Sequence, residues 1–308
     1  MHRHTHRHTH THLVCSGCGA VVDADTRYPF RCPNVTRNDG VEHCLQRVID
    51  TAAVPFCFAS PASLEHNPFV RYRERLHSYQ RARAAGLSDA AFVAMVERLD
   101  EAVGAVDARH FRVSPFARRP ELARALGLVS DGALWVKNET GNVSGSHKAR
   151  HLFGILLHLQ WLEEAGVVSR AASRAARFAI ASCGNAALAA AVVAKAADRA
   201  LDVFIPPDAD PLVVARLEAL GAKLTICTRC EGEAGDPCYL RFKGAVADQA
   251  LPFTCQGPDN GLTIEGGQCI AYEIAEQLGE HSLDDVVVQV GGAALASAVG
   301  RGLVELAS

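Results

Sequence analysis

An α/β fold with parallel strands is predicted for the chain from about residue 113 onward, on three observations. Short apolar runs alternate with segments of helical periodicity. Three of the strand-to-helix junctions carry turns of small residues. The last apolar run, Val286-Val287-Val288-Gln289-Val290, leads straight into Gly291-Gly292. Strands are expected over 133–137, 178–182, 201–205, 223–227 and 286–290, and helices over 151–164, 185–197, 211–220 and 267–278. Alternation of this kind implies parallel strands joined by right-handed crossovers.

The elements before this body read differently. Residues 1–12 alternate His with Arg or Thr, cannot build a core, and are expected to form a disordered tail. Residues 13–50 form a small cysteine module. Cys15-Ser16-Gly17-Cys18 is a tight knuckle, followed by Cys32 and by His43-Cys44. That spacing suits a zinc site of Cys15, Cys18, Cys32 and Cys44, with His43 competing for the fourth place. A metal would let so short a module fold. The other reading is a metal-free remnant that keeps its turn. Residues 51–112 are a helical arm, with helices near 79–85 and 90–103 and Ser88 as a capping residue. Residues 113–308 complete the division.

The three junctions carry the chemistry. The first places Lys148 in a turn of small residues between strand 133–137 and the helix from 151. A desolvated lysine there can form a Schiff base with a carbonyl. The second is Ser182-Cys183-Gly184-Asn185-Ala186, a turn whose N–H groups can hold a carboxylate at a helix start. The third is Gly291-Gly292-Ala293-Ala294-Leu295, where backbone N–H groups can cradle a phosphate. Each junction alone is equally a solvated turn with a good cap. Their succession in this order is more specific.

In these segments the chain resembles the fold-type II pyridoxal-phosphate enzymes, which include serine and threonine dehydratases, threonine synthase and the tryptophan synthase β chain. The resemblance begins near Ser114-Pro115-Phe116 and includes Thr263-Ile264-Glu265-Gly266-Gly267 running to Glu273-Ile274. It implies two parallel-sheet three-layer subdomains, C-terminally incomplete, behind the cysteine module. It implies pyridoxal 5'-phosphate held covalently by Lys148, with Asn185 on the ring hydroxyl. The phosphate would lie on Gly291, Gly292, Ala293, Ala294 and Leu295. The substrate carboxylate would lie on Ser182, Gly184 and Ala186, and Arg150 would tie the lysine loop to its surroundings. The same resemblance implies a homodimer or other homo-oligomer.

There are departures. Ala293 and Ala294 stand where the family has more glycine. His147 replaces an aromatic found in dehydratases, although tryptophan synthase β chains carry histidine there. The chain ends at Ser308, where family members continue for about another subdomain, so the remaining strands are expected elsewhere or lost.

The implied activity is α-proton abstraction and β-elimination on a small amino acid, as in a serine or threonine dehydratase. The alternatives are a threonine synthase-like replacement and a non-catalytic, truncated cofactor-binding protein. A net charge of −3 offers no strong attraction to nucleic acid or anionic membranes, and no apolar run reaches bilayer length. Eleven cysteines outside any small secreted framework point to a reducing, cytoplasmic setting. Cys227-Thr228-Arg229-Cys230, with Cys238 and Cys255, is read as buried small hydrophobes before any redox or metal role. His151 and His158 are expected as polar-face or cap residues.

Overall fold

Small-residue turns and short apolar runs assemble, in the computed structural model, into one four-stranded parallel sheet flanked by helices. The structure describes residues 9–35, 39–56, 65–128 and 134–307. Strand β1 (Thr11–Cys15) pairs antiparallel with β2 (Leu45–Ile49). The arm supplies α1 (Pro68–Arg71), α2 (His77–Ala84) and α3 (Asp89–Asp107). Next come β3 (Phe116–Arg118), α4 (Pro120–Ala125) and β4 (Trp135–Lys137), with β3 and β4 antiparallel. Helices α5 (Lys148–Glu164) and α6 (Arg170–Ala175) precede β5 (Phe178–Ala181) and α7 (Asn185–Ala196). Then follow β6 (Leu201–Ile205), α8 (Pro211–Ala219), β7 (Lys223–Ile226), α9 (Pro237–Ala247) and β8 (Leu251–Pro252). Helices α10 (Thr263–Leu278) and α11 (Ala294–Ala307) follow.

The parallel sheet runs β7-β6-β5-β8. Side chains alternate across it as the strand period requires. Phe178, Ile180, Val203 and Ile205 join the main core, while Ala179 and Phe204 pack against Cys227, Cys238 and Phe242 on the other face. That is a three-layer arrangement. The chain leaves β5 toward β6 and β7 on one side and returns with β8 on the other. Strand order therefore switches at β5, and a ligand crevice is expected beyond the carboxyl ends of β5 and β8.

Local chemistry explains most helix starts. The Ser88 hydroxyl accepts the Ala91 N–H at 3.1 Å, and Asp236 accepts the Cys238 N–H at 2.8 Å. Pro211 and Pro237 open α8 and α9, where a missing N–H costs nothing. Helix α5 is buried along most of its length and lies against α10. A Cβ at Gly266 would sit 2.0 Å from the Arg150 carbonyl oxygen, so glycine sets how closely the two helices approach.

Several expectations are corrected here. Thr11 and His12 belong to β1, because β2 offers them a ladder, and not to a disordered tail. The strand expected over 133–137 spans Trp135–Lys137 and its neighbour β3 runs antiparallel; residue 133 lies outside the described residues. The strand expected over 286–290 does not form. Val287 is 98% exposed, and no described strand lies beside the run to supply N–H and C=O partners. A second parallel sheet is accordingly absent among the described residues. Helix α9 and strand β8 were not expected, although Asp236-Pro237 is a good start signal.

His151 and His158 are buried and are not polar-face residues. His158 Nε2 lies 3.1 Å from the Arg27 carbonyl, and the Trp161 indole donates to its Nδ1 at 3.3 Å. Burial pushes His158 down to about 4. Above its ordinary value near 6.5 the histidine is neutral in both states and stability is intact; below it only the unfolded chain takes up the proton. Stability is lost as pH falls from there toward 4. His158→Gln should therefore flatten the fall of the urea midpoint between about pH 7 and pH 5. An unchanged slope would contradict the neutral, buried state.

Candidate active site

A cavity of about 410 Å³ lies at the switch point beyond β5 and β8. It is lined by His147, Lys148, Ser182, Asn185 and Ala186, by Thr254, Cys255 and Gln256, and by Gly291, Gly292, Ala293, Ala294 and Leu295. Its size suits a small cofactor with a small substrate. A larger surface cleft, about 600 Å³, lies between Arg98, Glu163, Arg170 and Arg199. It holds no amine or thiol nucleophile, and Arg98 and Arg170 pair with Glu164 and Glu163. An amine and a thiol, Lys148 and Cys255, line the first cavity instead.

Lys148 is the first residue of α5, so the loop before it fixes its position. That loop is held at several points. The Ser144 N–H donates to Asp107 Oδ2 at 2.7 Å and the Asn142 amide donates to the Ser146 carbonyl at 3.1 Å. Ser144 takes a left-handed φ of 55°, which the surrounding contacts maintain.

Beneath the loop lies a buried ion network. Arg150 is fully buried and donates to Glu139 at 2.8 Å and to Glu273 at 2.6 Å. Lys137 Nζ adds a 2.6 Å pair to Glu273, and the Ser114 N–H donates to the same carboxylate at 2.9 Å. Burial raises Glu139, but the Arg150 charge outweighs it and leaves the carboxyl below its usual range. Arg150 thus anchors the lysine loop to α10.

Ser182 follows β5, Gly184 caps α7 and Asn185 opens it. Ser182 and Ala186 face the cavity, with the Ser182 hydroxyl 3.4 Å from the Gly184 N–H. The residues from 291 enter α11, whose first N–H groups have no partner inside the helix. Ala293 adopts φ 60°, a backbone region that glycine enters freely and alanine at a cost near 1 kcal/mol. The glycine-like geometry of this loop thus persists with a methyl group on it. Ala294 is buried in the main core.

Sequence reasoning missed Thr254, Gln256 and Gln289 as lining residues, and grouped Cys255 with Cys227, Cys230 and Cys238. Cys255 instead lies in the cavity, its sulfur 3.9 Å from the Lys148 carbonyl. A short apolar run, Leu251-Pro252-Phe253, was the available signal for β8 and hence for this loop.

The cysteine module contains a second candidate site. Ligand atoms of Cys15, Cys18, Cys32 and His43 lie within 4.8 Å of one another. The fourth member is therefore His43 and not Cys44. Cys44 turns the other way, toward the Leu45 carbonyl at 3.8 Å and against Gly257. His43 Nδ1 faces Cys15 Sγ at 3.4 Å while Nε2 meets Asp39 at 2.6 Å. A carboxylate behind a histidine is the arrangement that orients an imidazole toward a metal. Burial raises the Cys15 thiol, but the Cys18 and Gly17 N–H groups and His43 outweigh it and bring it to about 6.

The main cavity fits a phosphorylated pyridine aldehyde by its donor set. Lys148 supplies an amine, Asn185 an amide, and the α11 start a row of N–H groups. Comparison with known proteins agrees. L-serine dehydratase of Saccharomyces cerevisiae is 31% identical over 182 residues, 55% of this chain and 50% of the relative. The chain spans about half the length of the curated relatives it matches. Among solved structures, apo diaminopropionate ammonia lyase of Escherichia coli superposes with a TM-score of 0.51 at 19% identity, covering 68% of this chain and 60% of that one. Its complex with an aminoacrylate–cofactor intermediate gives the same TM-score over 72% and 57%. These likenesses show a shared fold. The family described as pyridoxal-phosphate dependent enzyme matches residues 108–308, and the chain belongs to it.

Proposed function

We propose that the chain is a pyridoxal-phosphate-dependent amino-acid lyase of the serine/threonine dehydratase kind. The observation that carries this reading is the single switch-point cavity in which Lys148, the 182–186 turn and the 291–295 turn meet. The likeness to a relative named L-serine dehydratase supports the choice of elimination. When bound, the cofactor supplies an electron sink for the carbanion at the substrate's α carbon. Lys148 Nζ removes the α proton, and the β hydroxyl leaves. Asn185 holds the cofactor's ring hydroxyl. Ser182, Gly184 and Ala186 hold the substrate carboxylate, and residues 291–295 hold the phosphate. The products are a 2-oxo acid and ammonia.

The test is a visible spectrum of the purified protein with pyridoxal phosphate, before and after borohydride, with peptide mapping. Trapping on Lys148 followed by ammonia release from serine or threonine supports the reading. A folded protein that traps nothing there removes it. A threonine synthase-like replacement enzyme would release a new amino acid only when a second nucleophile is added. The reading includes a homo-oligomer, which light scattering measures.

The proposal extends to a structural zinc ion on Cys15, Cys18, Cys32 and His43, in a reducing cytoplasmic setting that keeps the thiols free. Elemental analysis should find zinc in the purified protein, lost in Cys32→Ser and His43→Ala but kept in Cys44→Ser. Retention in His43→Ala with loss in Cys44→Ser would return the fourth place to Cys44.

A further inference from the structure

We infer that His147 is a positioning residue for Lys148: it offers the cavity a bare Nε2 that accepts an N–H from the lysine amine, with its tautomer set by His151. The inference rests on the reading of Lys148 as the reacting amine.

The argument starts at the Thr263 carbonyl, which can only accept. His151 Nδ1 lies 2.7 Å from that oxygen, so Nδ1 carries the hydrogen. His151 is completely buried between α5 and α10. Its ring fits because Gly267 has no side chain; a Cβ there would lie 2.3 Å from Cε1. A neutral imidazole with its hydrogen on Nδ1 presents Nε2 as an acceptor. His147 Nδ1 stands 3.2 Å from that Nε2, one helical turn earlier, and must donate to it. The single proton of neutral His147 is thereby committed to Nδ1. The nitrogen left over, Nε2, keeps its lone pair.

Both rings are held neutral. Burial, then the Lys148 charge, pushes His147 down to about 4, with Arg150 adding to the effect and Glu139 opposing it. Burial, followed by His147, pushes His151 to about 3. A second proton on either ring would place a further cation beside Lys148 and Arg150. His147 is thus an acceptor and not a donor in the cavity. It cannot donate to an anionic group, but it can receive an N–H from an amine. Lys148, its chain neighbour on the same cavity wall, is that amine. Once the amine has given up its extra proton, accepting one of its remaining N–H bonds leaves the Nζ lone pair directed away from the histidine and toward the cavity.

The test has two parts. Long-range proton–nitrogen spectra of histidine-labelled protein, without cofactor, read the tautomers directly. Both rings are expected as Nδ1–H at about pH 7, and His151→Phe should release His147 to the Nε2–H form preferred in water. His147 found charged or as Nε2–H in the unaltered protein overturns the inference. The second part follows pyridoxal phosphate capture by absorbance as a function of pH. His147→Phe should slow capture by about ten-fold where the amine is neutral, and move its profile to lower pH, because an acceptor favours the charged form of its donor. His147→Gln, which restores an acceptor, should recover much of both. Unchanged capture and profile in His147→Phe overturn the positioning role alone. Failure of the unaltered protein to capture the cofactor ends the inference together with the reading it rests on, whatever the tautomers.

Discussion

Replacing Lys148 with alanine is expected to lower ammonia release by about 10³–10⁴-fold and to abolish borohydride trapping of the cofactor. The loss has two sources. On the proposed reading the amine is both the covalent anchor and the base, and among the described residues no second lysine lines the cavity. Because Lys148 is only half-buried and starts a helix, the unfolding midpoint should move little. The pair of measurements separates chemistry from folding. A Lys148→Ala protein that turns over serine at a near-normal rate would place the reacting group elsewhere.

The second large effect is on stability. Arg150→Met should cost about 3–5 kcal/mol, because removing one partner leaves charge buried without compensation. Glu273 is completely buried, and Glu139 and Glu273 share the Arg150 guanidinium. Lys137 continues to pair with Glu273, which keeps the loss from being larger. Adding Glu273→Gln to Arg150→Met should recover part of the stability, measured by urea unfolding. No recovery would show that Arg150 acts by packing alone. Because the network holds the 139–147 loop, the single variant should also bind cofactor more weakly than its residual folded fraction explains.

Much of the site was legible in the sequence because chemistry and local structure coincide at strand-to-helix turns. Lys148, Ser182 with Asn185, and residues 291–295 each sit at a turn that leads into a helix, and the fold brings all three to one cavity. The 254–256 segment was not legible. It depends on β8, two residues long and paired only through Phe178↔Leu251 and Ala179↔Pro252. Periodicity cannot reveal so short a strand. The run 286–290 failed for the opposite reason: its apolar character is plain, but a strand also needs a neighbour. The choice between His43 and Cys44 was open to a parity argument. Leu45 and Arg47 are buried and Gln46 between them less so, which places 43, and not 44, on the inner side. His151 was misread because a helix buried on nearly every face has no polar side on which to put it.

Arg47 joins the cysteine module to α10 and α11. It stands on β2 and donates to Gln268, to Tyr272 and, at 2.5 Å, to Glu305 on α11. Arg75 of the arm adds a second 2.5 Å pair to Glu305. Arg47 and Glu305 are 258 positions apart. During synthesis the cysteine module emerges well before the groups that enclose its arginine. Until then the guanidinium stays hydrated and β2 lacks the surface against which it is finally buried. Contacts of such long range close late, since the intervening loop must be ordered before they give any return. The module is therefore a poor candidate for excision or for early, independent assembly. Maturation of the nascent protein should hinge on the arrival of α10 and α11 at their places beside it.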